Sequence, residues 1–268
     1  MANHVRSAKP GSDWTRYELT AYNITIVSLP PSKFFPTPDP PLDHIDPDIL
    51  DCSDYTNLLP ESSKDATRFL QYYYLASIPP RGGSVSEFSA CTLNLLAFDD
   101  WGRTVAIPGN SLPLTICGKI NFITQLCLIT LCPTFVLLTL VVDKAPDGVG
   151  SAAQAIAGAI AAFQFNNAKR MEHGLKPLDV MTIPCITMTD IIPTFYLVPV
   201  TTALSDAVIS GTFPATRTEV LECSTVATHV NYEGVGAQDT EYRKLILKRF
   251  LAFKALAKTH WEHISDGV

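Results

Sequence analysis

The sequence predicts an α/β fold of short strands and helices closed by a long amphipathic helix, and three observations carry that reading. Residues 122–142 hold no charge and are rich in Ile, Val, Leu, Thr and Phe, with a break at Leu131-Cys132-Pro133-Thr134. Branched and aromatic side chains suit a pleated surface, and each half of the run has strand length. Residues 151–169 are alanine-rich, with Ile156, Ile160 and Phe163 on one helical face. Tyr242, Ile246, Phe250, Phe253, Ala257 and Trp261 recur at spacings of three and four, the apolar stripe of a helix from about Thr240 to Ile264.

The uncharged run is long enough to cross a membrane. Pro133 near its centre, the strand-forming composition and Gln125 argue for two buried strands instead. No membrane span is expected.

The 268 residues can bury a sizeable core, and 47% are hydrophobic, which excludes a mainly disordered chain. Net charge is −6 and the pI about 5.5. Nucleic acid is therefore not the expected partner, since phosphate contacts need clustered Lys and Arg. The seven cysteines are odd in number, irregularly spaced and without a Cys-x-x-Cys pair, so neither a zinc site nor a disulfide framework is expected. Their place in apolar runs, together with a start that lacks a signal peptide's apolar core, predicts an intracellular and cytoplasmic protein. Asn23-Ile24-Thr25 has the form of a glycosylation sequon and is read as part of a strand.

Taken in order, residues 14–29 predict a helical turn and a short strand. Residues 30–60 are rich in Pro and Asp and read as an extended arm. The arm suits a lid, a partner-wrapping segment or a surface loop. Residues 1–60 form an N-terminal strand and arm, and 61–268 the main domain. Residues 61–78 predict a helix with Phe69, Leu70, Tyr73 and Tyr74 inward, and 86–98 a second, with Phe88, Cys91, Leu95 and Leu96 at helical spacing. Strands are expected at 103–107 and 112–120, before the two in the uncharged run. A turn at 147–150 leads into the alanine-rich helix. Residues 182–188 and 195–200 predict a hairpin, 204–210 a short helix stopped by Gly211, and 220–223 and 226–231 two strands.

Particular words in this order resemble a large family of uncharacterised proteins from basidiomycete fungi. They include Trp14-Thr15, Ala21-Tyr22-Asn23-Ile24-Thr25, Leu114-Thr115-Ile116-Cys117-Gly118, Ile156-Ala157, Ala159-Ile160-Ala161-Ala162-Phe163-Gln164, Asn166-Asn167, Ile186-Thr187-Met188 and, weighted most, Pro193-Thr194-Phe195-Tyr196. The resemblance runs from about Trp14 to Leu256. It implies a PD-(D/E)xK restriction-endonuclease-like core, a mixed central sheet flanked by helices. In that core an Asp on one strand and Glu-x-Lys on the next hold a divalent metal that activates water.

The resemblance puts Gln125 where the Asp is expected and Val142 where the Glu is expected. It keeps Lys144 and Gln154, and puts Gly158 where a helix Glu is expected. Three carboxylates are missing, and Asp143, next to Val142, points to the opposite face of a regular strand. A neutral amide and a misdirected acid make a poor magnesium site, so metal-dependent nuclease activity is not expected. No metal or cofactor is assigned.

The substitutions remove charge and open space, which predicts a roomier, largely apolar pocket holding Lys144. Candidate catalytic groups are Lys144, Gln125 and Gln154. Candidate walls are Cys127, Leu140, Val142, Gly158, Phe163 and Tyr196. The expected function is binding of a small, largely apolar molecule, with metal-independent cyclisation, isomerisation or rearrangement if the protein is an enzyme. On the other reading, Lys144 extends to solvent at the strand end. The alternative function is a non-catalytic pseudonuclease that binds nucleic acid or protein through Arg243, Lys244, Lys248, Arg249, Lys254 and Lys258. These also suit a solvated helix face.

Overall fold

The computed structural model describes residues 6–78, 82–99, 103–142, 150–225 and 239–265. The elements begin with α1 (Arg16–Ala21), β1 (Ile24–Ser28), α2 (Pro31–Phe34), α3 (Pro47–Asp51), α4 (Lys64–Ser77) and α5 (Gly82–Leu95). A meander follows: β2 (Thr104–Ile116), β3 (Lys119–Thr130) and β4 (Val136–Val142). Then come α6 (Ser151–Glu172), β5 (Val180–Thr189), β6 (Ile192–Thr201), α7 (Thr202–Ser210), β7 (Thr218–Ser224) and α8 (Thr240–Ser265).

The uncharged run splits as its composition predicts. β3 ends at Thr130, residues 131–134 turn through a cis Cys132–Pro133 bond, and β4 follows. Thr130 Oγ1 donates to Pro133 O and accepts from Phe135 N–H, closing the turn. Among the described residues, no helix is long and apolar enough to cross a membrane.

The expected strands at 103–107 and 112–120 are instead one strand, β2, and the start of another. The register shifts between Ile107 and Asn110 without ending the strand. Cys117 and Gly118 then form a two-residue turn with φ of 48° and 72°. Positive φ at both positions matches the twist of a tight hairpin. The second helix starts at Gly82 and not at 86, through a Gly-Gly pair of low helix propensity. The 182–188/195–200 hairpin, the Gly211 stop at φ 69° and the long last helix all form. Asn23 is no strand residue: it takes φ 54° after α1, a helix end that asparagine tolerates. The expected strand at 226–231 and the turn at 147–149 lie outside the described residues.

The described strands make one mixed sheet in the order β1-β7-β6-β5-β4-β3-β2. β2, β3 and β4 run antiparallel, α6 carries the chain to β5 parallel with β4, and β6 and β7 continue antiparallel. β1 closes the far edge parallel with β7. Helices α1, α6 and α7 cover one face; α5 and α8 cover the other.

Strand alternation sorts the side chains between these faces. The partners Cys127, Thr139, Cys185, Tyr196, Glu222 and Ser28 form one row from β3 to β1. It lies on the α6 side, where Cys185 Sγ approaches Ala155 O at 3.8 Å. The neighbouring row, Leu126, Leu140, Ile186 and Phe195, lies on the α8 side. There Phe195 meets Phe35, Phe250 and Phe253.

The Pro/Asp-rich segment folds into short helical turns on the core. Phe34, Phe35, Ile45 and Ile49 are buried within it. Asp46 and Asp54 cap turns by accepting from Asp48 N–H and Thr56 N–H. Asp39 and Asp51 pair with Arg249 and Lys244.

Candidate functional site

The altered carboxylate positions come together only in part. Gln125 is buried on the α6 side, and its amide lies against Gly158. A Cβ on Gly158 would meet Gln125 Oε1 at 2.5 Å, Nε2 at 2.7 Å and Cδ at 3.0 Å. The space expected to open at Gly158 is therefore filled by the longer side chain at 125. Among the described residues, neither amide atom of Gln125 has a hydrogen-bond partner. The Cys127 thiol, two residues along the same face, is pushed up to about 11 by burial.

Leu140 and Val142 belong to the other row. Leu140 pairs with Leu126, so Val142, two residues on, turns away from Gln125 toward the α8 side. The expected pocket with Gln125 and Val142 as joint walls is not formed, because one strand's alternation sends them to opposite faces. Lys144 and Asp143 lie outside the described residues. Gln154 stands one helical turn before Gly158, and Phe163 is buried further along α6. Among the described residues, no group of three His, Cys, Asp or Glu side chains could hold a metal ion.

The polar words of α6 have a structural role. Gln164 accepts from Thr115 N–H at 2.8 Å and donates to Thr115 O at 3.2 Å. Asn166 does the same with Val136 N–H and O at 2.7 and 2.9 Å, and Asn167 with Leu178 N–H and O at 2.8 and 3.0 Å. Gln164 and Asn166 each satisfy a strand residue's backbone, and Asn167 that of the loop leading into β5.

Tyr196 belongs to a different assembly. A cleft of about 550 Å³ opens over β1, β7, β6 and β5 beside the start of α6, within the size range of small-molecule sites. Tyr196 and Thr187 stand in its floor with Glu222, Ser28 and Thr194, and Arg16 and Ser151 are at its sides. Ser28 Oγ donates to Glu222 Oε1 at 2.7 Å. Tyr196 is 3% exposed, with Thr187 and Glu222 beside its phenol. Burial holds its phenol well above the ordinary value; Thr187 opposes this and Glu222 adds to it. Gly150 gives α6 no side-chain cap, so the positive end of a 22-residue helix flanks the cleft.

The arrangement offers hydroxyls that both donate and accept, one carboxylate and one guanidinium. It suits a small polar molecule more than an apolar one. Sequence reading found Tyr196 but missed Ser28, Thr187, Thr194 and Glu222. The available signal was hydroxyl and acid residues at alternate strand positions: Thr187 and Thr189, Thr194 and Tyr196, Glu222 and Ser224.

The cations of α8 are largely engaged within the chain. Arg243 is buried at 1% exposure over the Tyr73 ring and donates to Cys52 O. Lys244 pairs with Asp51 and Glu241, Arg249 bonds Pro38 O and Asp39, and Lys254 donates to Leu96 O. Cys185, also a thiol of the α6-side row, is pushed up to about 12 by burial. A buried thiol held neutral is a poor nucleophile. No family model matches the chain, and no curated protein matches it.

Proposed function

We propose that the chain is a small-molecule-binding protein on a nuclease-like α/β architecture that has left metal-dependent phosphodiester chemistry. The order of meander, crossover helix and parallel strand supports the nuclease-like reading. The neutral Gln125 and the diverging Val142 support the loss of the metal site. The ligand is a small hydroxylated or hydroxy-carbonyl compound held over Tyr196.

One observation carries the reading: a buried tyrosine beside Thr187 and Glu222, with Ser28 hydrogen-bonded to that carboxylate, in the floor of an open cleft. Such a set orients a ligand hydroxyl and can pass a proton between oxygen atoms. It fits metal-independent proton transfer, the chemistry of an isomerisation or cyclisation. Nucleic acid is not the proposed partner.

Native mass spectrometry of the purified full chain, with a thermal-shift screen of hydroxy acids and polyols, tests this. The wild type is expected to carry or bind such a compound, and Thr187→Trp, which fills the cleft, to lose it. A Thr187→Trp variant that binds like wild type, or a wild type that binds none of the panel, overturns the reading.

A further inference from the structure

A second cleft lies on the other side of the sheet, between α8 and the start of β2, with a volume of about 520 Å³. Its wall includes Phe98 and Leu137, exposed by 2% and 3%, and Trp261 at 9%. The Phe98 ring meets Trp261 at 6.4 Å. Leu137 arrives there through a one-residue slip of register: Leu128 pairs with Leu138, but Ile129 pairs with Val136.

Three cations edge this apolar wall: Arg103, Lys254 and Lys258. Among the described residues, neither the Arg103 guanidinium nor the Lys258 ammonium has a hydrogen bond or ion pair. Lys254 gives one of its three donors to Leu96 O at 2.8 Å and has no ion pair there either. Asp99 and Glu262 stand on the same rim, so the lining keeps a surplus of one positive charge. Burial and then Lys258 hold Lys254 below its ordinary range, with Asp99 opposing in part, and an arriving anion would oppose it further. The rim is also strained: Ala97, in the lining, holds φ 51°, and the Lys254 bond falls on the residue before it.

We propose that this cleft binds a small amphipathic monocarboxylate, its carboxylate between Lys254, Lys258 and Arg103 and its apolar body on Phe98, Leu137 and Trp261. The apolar wall alone would accept any oily compound. The spare cationic donors select an acid over an alcohol of equal length, because an acceptor-only carboxylate satisfies several at once. The site is separate from the Tyr196 cleft, and the two stand or fall independently.

Isothermal titration of the full chain with decanoate and with decanol tests it. Decanoate is expected to bind at least tenfold more tightly than decanol. Lys254→Met, which keeps an apolar stem, and Lys258→Met, at an exposed position, are each expected to weaken decanoate at least fivefold and leave decanol unchanged. Circular dichroism confirms that each variant is folded. Equal binding of acid and alcohol, no decanoate binding by the wild type, or decanoate affinity within twofold of wild type in both variants overturns the proposal.

Discussion

The Gln125 amide occupies the space that a side chain at Gly158 would need, with Oε1 2.5 Å from the position of an added Cβ. A long residue on β3 and the absence of a side chain on α6 are thus one packing unit, joining two positions 33 apart in sequence.

That unit predicts strong coupling. Gly158→Ala gains about 1 kcal/mol of helix propensity but overpacks by about 1–3 kcal/mol, so it is expected to destabilise by about 1 kcal/mol. In a Gln125→Ala background the clash is gone, and the same change is expected to stabilise. Urea unfolding of the four proteins gives the coupling directly. Additive effects would sink the idea that these two residues share one space.

Gln125 also carries a cost of its own. Both amide atoms are buried without a partner among the described residues, a situation that costs about 1–3 kcal/mol per group. Gln125→Met keeps the length and removes the polar atoms. It is expected to raise the unfolding midpoint, and a lowered midpoint would mean that the amide is satisfied.

Asn166 predicts the opposite. It is fully buried and completes both backbone groups of Val136 where β4 begins. Asn166→Ala leaves a buried N–H and C=O unsatisfied and is expected to cost about 2–4 kcal/mol. Hydrogen exchange at Val136 reports the loss locally: protection there is expected to fall in the variant. Unchanged protection at Val136 would assign its partner elsewhere.

Buried thiols set an alkaline limit on stability. Burial pushes Cys127 and Cys223 up to about 11 and Cys185 to about 12, against about 8.5 in an unfolded chain. Below about pH 8.5 both states hold their thiol protons and stability is flat. Above it the unfolded state releases protons first, so stability falls by about 1.4 kcal/mol per thiol per pH unit until the folded thiols titrate. Tyr22, Tyr73 and Tyr196, all raised by burial, add to the fall above about pH 10. Urea midpoints at pH 8, 9 and 10 measure it. Equal midpoints would mean that these thiols are open to solvent.

Arg243 ties the Pro/Asp-rich segment to α8 through Cys52 O while stacking on Tyr73. Arg243→Lys keeps the charge but loses the planar stack and the guanidinium donors, and the two are not interchangeable at such a site. Limited proteolysis is expected to cut residues 30–60 faster in the variant. An unchanged cleavage pattern would show that the apolar contacts of Phe34, Phe35 and Ile49 hold the segment alone.

The sequence by itself determined the inventory of local structure. The uncharged run declared itself as two strands because Pro133 and the branched residues around it leave a helix no favourable course. The last helix followed from the Tyr242–Trp261 stripe, and Gly211 marked the end of α7. Local chemistry decides such features, so they are visible along the chain. It did not reveal the turn at Cys117, because positive φ at a cysteine becomes tolerable only once two strands have paired around it.

The tertiary structure decided which side chains meet. Gln125 and Val142 suit one site on paper, yet register places them on opposite faces, since one residue's shift in a strand reverses every side chain. Tyr196, Glu222 and Ser28 are far apart in the chain and become neighbours only because β6, β7 and β1 lie side by side. Gln125 and Gly158 meet for the same reason: packing across a sheet and helix is a property of the folded surface, and no single segment encodes it.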